Sequence, residues 1–385
     1  MRVSGQAGRY GAVVVVGLGA AEVLIMISPF MGFFYASLRF ESVLGVLSAS
    51  RWTAWLDGFF LNHAVVTDSL LLEGQRRVGV WLFVGGLAGF LISAFQVYGN
   101  KLLKRGVARG LLYRLVRHPQ YLCLGIAGWG LLTMWPRFLL LGLWVTMLFL
   151  YAGLARFEEH RMEERFGEDY RRFAATRGAF LPGSPVRRLF VATMGRLRPR
   201  GLGWAAAYVV SLALAFSLGL VLRAHVRASA AVLFQPEQQA VVISSWPQPP
   251  AWLENVFQAA VSNDEVKQRL QQEQTGQPVV ATILAPRYGM RGMYYQPDPS
   301  WTLHKERGPL LGVDPESSDE PVEVVFSRAR KPYQEGLSLE EALDLGVRLT
   351  PLVVADVQPA TGEVTAVRIP LPQNRYGPNV VMPLF

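Results

Sequence analysis

"RHPQYLCLGIAGWGLLTMWPRFLLLGLWVTMLFLYAGLARFEEH", residues 117–160, decides the architecture of this chain. An uncharged run from Pro119 to Trp135 meets Pro136-Arg137, and a second uncharged run goes from Phe138 to Ala155. About 20 apolar residues cross a bilayer as a helix, so the two runs read as a tight membrane-spanning hairpin. A hairpin returns to the face it left. Arg117, His118 and Tyr121 at its entrance are therefore expected beside Glu158 and Glu159 at its exit, with cations and carboxylates converging on one interface.

Three further runs satisfy the same length rule. Gly11–Leu38 holds one charge, Glu22, while Val78–Asn100 and Gly201–Leu222 hold none. The first outlasts the apolar stretch of a signal peptide and four more runs follow it, so it is expected to be an anchor. Within it "VVVVGLGAAE" (13–22) imitates a dinucleotide-binding turn, but Glu22 stands where the third glycine belongs and the following residues lack a polar face. About five spans are expected in residues 1–224, an all-α multi-pass membrane domain.

Composition agrees. The chain has 385 residues, 51% of them hydrophobic, and a mean hydropathy of +0.23. Residues 1–224 carry 25 Lys and Arg against 11 Asp and Glu, whereas residues 225–385 carry 13 against 18. The basic residues flank apolar runs instead of forming a patch, which excludes nucleic acid as the expected partner. Lys101, Lys104, Arg105, Arg109, Arg114 and Arg117 fill one loop, and residues 156–200 hold Arg187, Arg188, Arg196, Arg198 and Arg200. The positive-inside bias makes both loops cytoplasmic. Five crossings then leave residues 225–385 on the non-cytoplasmic side, the expected membrane being a bacterial inner (cell) membrane. Cys123 is the one cysteine, so no internal disulfide is possible.

Residues 225–385 alternate strand-like runs such as "PVVATIL" and "TPLVVADV" with helical ones such as "PAWLENVFQAAVS". They read as a soluble α+β domain, long enough for its own core. "RYGMRGMYYQPDPSW" (287–301) reads as a surface loop, with contact to an unknown partner as the alternative. The function of this domain is not legible in its residues.

After the hairpin comes "ARFEEHRMEERFGEDYRRF" (155–173). His160 with Glu163 or Glu164 has metal-pair spacing, but no second cluster completes a site, so a solvated helix and no metal are expected. "GSPVRRLFVATMGRLRPRG" (183–201) reads as a basic surface helix on anionic headgroups.

"RHPQY", a hairpin of this length, "EEHRMEERFGEDYRRF" and "FLP" together resemble the isoprenylcysteine carboxyl methyltransferase and phospholipid methyltransferase family over about residues 100–185. The matching positions are Tyr113, Arg117, His118, Pro119, Tyr121, Glu158, Glu159, Phe166, Gly167, Tyr170 and Phe180–Pro182, and the signature falls within residues 105–182. The resemblance implies an S-adenosyl-L-methionine-dependent methyltransferase acting on a membrane lipid or lipidated acceptor at the cytoplasmic face. It implies cofactor binding by Tyr113, His118, Pro119, Gln120, Tyr121 and Glu158; an amine acceptor would also have to lose a proton, for which Glu159 and His118 are the candidate acceptors. The residues fit that cofactor on their own terms. Its ammonium calls for a carboxylate, and its sulfonium tolerates an aromatic wall.

Three positions depart from the family pattern. "GLLY" (110–113) carries one residue more than Gly-x-Tyr, and Cys123 replaces a glycine. Leu154 stands where the isoprenylcysteine enzymes hold a substrate-facing Arg, leaving Arg156 as the nearby cation for a substrate. A membrane NADPH-dependent lipid reductase and a non-catalytic anchor for residues 225–385 are the alternative functions.

Overall fold

The computed structural model describes residues 24–35, 47, 49–63, 65–103, 110–182, 185–193, 199–272, 276–286, 295 and 320–371. Glu22, Lys104, Arg105, Arg109, Arg196, Arg198 and the 287–301 loop apart from Tyr295 lie outside them, as does the Arg187 side chain. The chain divides into two compact units. One holds Met1–Phe40, Val78–Trp135 and Leu140–Ser217, and the other Glu41–Arg77, Pro136–Leu139 and Leu218–Phe385. The second unit thus takes in more than residues 225–385: the 41–77 segment and the hairpin turn belong to it.

The first unit is helical. It contains α1 (Leu24–Tyr35), most of α2 (Leu70–Leu102), α3 (Pro119–Met134), nearly all of α4 (Phe138–Ala175), α5 (Pro185–Thr193) and the first part of α6 (Arg200–Ser229). Among the described residues three helices, within α2, α4 and α6, are long and apolar enough to cross a membrane. The other two expected spans do not reach that length among the described residues. The 16-residue α3 reaches about 24 Å at 1.5 Å per residue, and the first expected span is described as a helix only from Leu24 to Tyr35. Only 6% of the apolar window of α6 and 17% of that of α2 are buried, as expected of helices whose side chains meet lipid.

Small residues let α2 approach α3. A side chain at Gly86 would meet the Cys123 carbonyl and Ala127 backbone, and one at Gly130 would meet the Gly79 carbonyl and Phe83 backbone. Such contacts between backbones are the usual glue of membrane helices, where burial against lipid supplies no drive. Cys123, the glycine replacement, has its sulfur against Gly89 of α2; it packs between helices. On the other side of α3, Trp144 donates to the Gly125 carbonyl (3.0 Å) and its ring lies 5.0 Å from that of Trp129. These contacts close the hairpin.

The second unit is built on a six-stranded sheet in the order β1 (Val232–Gln235), β2 (Ala240–Ser244), β3 (Val279–Leu284), β4 (Val322–Arg330), β5 (Arg348–Gln358), β6 (Glu363–Arg368). Its pairs are antiparallel except β2 and β3, which run parallel because α7 (Pro250–Ser262) and α8 (Asp264–Gln272) form the crossover between them. Leu253, Val256, Phe257 and Val266 of these helices bury against Val242, Ile283, Val324, Phe326 and Ala355. A C-terminal sheet-containing domain is what the alternating pattern foretold.

Arginines fasten this unit together. Arg223 at the end of α6 is 7% exposed and donates to the Phe59 carbonyl (2.7 Å) and the Leu343 carbonyl (2.8 Å). Arg137 of the hairpin turn ion-pairs with Asp57 and lies over the Phe59 ring (4.4 Å), while Phe60 N–H donates to the Pro136 carbonyl (2.8 Å). A buried carbonyl left without a donor costs about 1–3 kcal/mol. Arg223→Met, which keeps the length of the side chain and removes its donors, is therefore expected to lower the thermal midpoint of the purified protein by several degrees; an unchanged midpoint would show that the two bonds carry no net stability.

Candidate functional site

The site forms where the start of α3 meets the polar end of α4. Pro119 opens α3 at its first position, where the missing N–H costs nothing. His118 sits just before it as the cap residue, and its side chain is 6% exposed. The motif is also held from behind. Gly167 interrupts α4 with φ +54° and ψ −127°, a conformation side-chain-bearing residues rarely adopt. The chain then comes back beside the motif: Val116 and Gly178 form a parallel bridge, and the Arg117 and His118 N–H groups donate to the Gly178 (2.9 Å) and Ala179 (3.0 Å) carbonyls. This gives the Phe-Gly step and the closing Phe180 structural jobs. The turn at glycine sends the chain back, and the Phe180 ring ends 5.9 Å from the His118 ring.

Both carboxylates of the Glu-Glu pair reach His118. Its Nε2 is 3.0 Å from Glu159 Oε1 and its Nδ1 is 3.5 Å from Glu158 Oε2. Arg117 also reaches Glu159 Oε1, at 2.9 Å, and the Tyr121 hydroxyl donates to Glu158. Burial disfavours the charged imidazole, but the hydrogen bonds and charges of Glu158 and Glu159 outweigh it, so the His118 pKa is raised. Glu158 remains 42% exposed, the more open of the two carboxylates. Aromatic rings line the other side: Tyr121 stacks on His118 (5.8 Å) and on Tyr151 (4.8 Å). Tyr113 is 5% exposed, and burial, then Glu158, push its pKa up.

His118, Tyr121, Glu158 and Glu159 thus come together, with Pro119 and Gln120 buried at the start of α3. The Arg156 guanidinium lies 3.7 Å above the Trp204 ring of α6. His160 and Glu164 form an exposed pair one turn apart, and Glu163 pairs on the surface with Arg171. Arg117 reaches the Glu159 carboxylate as the hairpin's return implied, and two contributors were not assigned from sequence: Phe180 against His118 and Tyr151 behind Tyr121. Tyr151 lies seven residues before Glu158, two helical turns along the same face, and that spacing was the available signal.

The extra residue of "GLLY" is accommodated by strain. Leu111, in a short 3₁₀ turn over Leu111–Arg114, takes a left-handed φ of +44°, and Tyr113 is buried one step later.

Over 106 residues the chain is 32% identical to a methanethiol S-methyltransferase of Pseudomonas deceptionensis. The match covers 25% of this chain and 40% of that relative, so it spans well under half of the relative's length. No protein-family model matches the chain, and no solved structure matches it significantly.

The His118 cluster generates a pH dependence. A histidine whose pKa is raised on folding adds stability that is complete below its unfolded value, ordinarily near 6.5, and is lost as pH rises through the higher folded value. The thermal midpoint should accordingly fall as pH is raised above 6.5, and His118→Gln should flatten that slope. Equal slopes in the two proteins would mean the imidazole is neutral in the fold.

Proposed function

We propose that this chain is an integral-membrane S-adenosylmethionine-dependent methyltransferase acting on a lipid-soluble acceptor that carries no carboxylate. The observation that carries the reading is the cluster of His118, Tyr121, Glu158 and Glu159 at the hairpin's entrance and exit. The relative's printed name adds a methyl acceptor that is a neutral thiol.

The residues fit the cofactor. The open Glu158 carboxylate suits an ammonium or a ribose hydroxyl, and the stacked rings of Tyr121 and Tyr151 suit the rim of a sulfonium. When bound, the cofactor supplies an electrophilic methyl group, and in-line displacement leaves the protein mainly the task of alignment. Arg117 and His118 fix Glu159, and His118 and Tyr121 fix Glu158. A thiol or amine acceptor must give up a proton. The expected acceptors of that proton are Glu159 and His118, which are hydrogen-bonded to each other at 3.0 Å, while Glu158 is kept for the cofactor. Leu154 gives the acceptor side no cation, and an unpaired carboxylate beside it would be costly; a thiol or a lipid amine meets no such penalty.

Titration of the purified protein with S-adenosylhomocysteine should show binding, and Glu158→Gln should weaken it about ten- to a hundredfold, the worth of a charge-assisted contact of about 1.5–3 kcal/mol. Glu163→Gln, a change in a surface pair, should leave the affinity unchanged. Equal behaviour of the two variants, or binding of NADPH in place of the nucleoside, would sink the proposal.

We further propose five crossings in a bacterial inner membrane, with residues 225–385 on the non-cytoplasmic side, on the strength of loop basicity. In a Cys123→Ala background, Glu237→Cys should react with a membrane-impermeant maleimide applied to intact cells. Reaction at Arg188→Cys with protection at Glu237→Cys would reverse the orientation.

A further inference from the structure

Among the buried polar atoms that have no hydrogen-bond partner within the described residues are the Tyr113 hydroxyl and Gln96 Oε1. Such atoms are rare and each costs free energy until something satisfies it. Gln96 is the more telling. It lies in α2, an apolar helix where an amide is expensive unless it serves a purpose. It is also aimed inward. Gly79, Gly86, Gly89, Ser93 and Gln96 are spaced seven, three, four and three residues apart and so share one face of α2. Gly79, Gly86 and Gly89 of that face lie against Thr133, Ala127 and Cys123 of α3, and Gly89 also nears Leu112. One turn further on, the Gln96 amide presses on Gly110, where an added side-chain carbon would come within 2.6 Å of Nε2. The Gly110 carbonyl in turn accepts from Tyr113 N–H at 2.9 Å. Gln96 therefore points at the segment that carries Tyr113, and Tyr113 feels the charge of Glu158.

Resting on the cofactor reading above, we infer that Gln96 recognises the adenine of the bound nucleoside, Oε1 accepting from its 6-amino group, with the Tyr113 hydroxyl bonding a neighbouring polar atom of the same nucleoside. The chemistry selects the base over the rest of the ligand. A carboxamide offers an acceptor and a donor side by side, the complement of an adenine edge and the pairing by which glutamine reads that base elsewhere. The ligand's ammonium would choose a carboxylate, which Glu158 supplies, and its carboxylate would choose a cation.

The test compares S-adenosylhomocysteine with the analogue in which hydrogen replaces the 6-amino group, by calorimetric titration of the purified full chain. The native protein should bind the adenosyl compound about tenfold more tightly than the analogue. Gln96→Leu, and Gln96→Met as a variant that preserves side-chain length, should bind the two compounds alike, at about the affinity the native protein shows for the analogue. Thermal midpoints within a few degrees of the native value would establish that either variant is folded, and the variant that meets this is the one read. If the native protein binds both compounds equally, or if the tenfold preference survives in the folded variant, the amide does not touch the amine and the inference is overturned while the cofactor reading stands. Binding of neither compound by the native protein overturns both.

Discussion

The Glu159 carboxylate, one side of it against Arg117 and another against His118, is the contact on which the first unit's polar end depends. An ionised carboxylate following an apolar helix is tolerable only where cations reach it, and breaking such a partnership costs more than the pair contributes. The two cations come from the other arm of the hairpin, 41 residues earlier in the case of His118. The ion cluster therefore fixes which way the hairpin closes, and it gives His118 two carboxylates where one would suffice for a salt bridge. The second carboxylate, Glu158, is the part of the cluster with capacity left for a ligand.

That capacity depends on backbone as much as on charge. His118 cannot drift, because its N–H is held by Ala179 and its ring by Tyr121 and Phe180. The chain segment that does the holding is placed there by the left-handed turn at Gly167. A glycine with open space around it is thus required for its backbone alone, and the Phe-Gly step of the motif is explained by conformation without any contact to a ligand. Leu111 shows the opposite case. A residue with a side chain holds φ +44° in the loop that delivers Tyr113, at a cost of about 1 kcal/mol or more. Strain of that kind persists where the surrounding structure fixes it, and here the fixed neighbour is a buried tyrosine.

Much of this was legible in the residues. The hairpin followed from two uncharged runs around Pro136-Arg137, and convergence of His118 on Glu158 and Glu159 followed from a hairpin's return. The sheet of the second unit followed from its alternating runs. What the sequence hid were contacts between elements remote along the chain. Nothing in the local pattern of Arg223 distinguishes a cation flanking a span from one that bonds two buried carbonyls, and nothing around residues 41–77 assigns them to the unit of the C-terminal sheet. Arg156 is a related case: position along a helix says little about direction, and the contact of its guanidinium with the Trp204 ring on α6 was not legible. Cys123 was ambiguous because its neighbour, Gly89, is a residue with no side chain to betray the contact.

Under the proposed function, acceptor and cofactor divide the site by polarity. The ion cluster is formed by residues 117–121 and the polar end of α4, whereas α2 presents Gly79, Gly86 and Gly89 to α3. A polar ligand is consequently drawn toward the ion cluster and kept from the helix faces. An apolar acceptor gains nothing at the ion cluster, and Leu154 offers it an apolar contact one turn before Glu158. Segregation of this sort lets two substrates of opposite polarity meet without either displacing the other. On that proposal the acceptor side needs no charged residue of its own, because a neutral nucleophile is recognised by shape and by the lipid from which it comes.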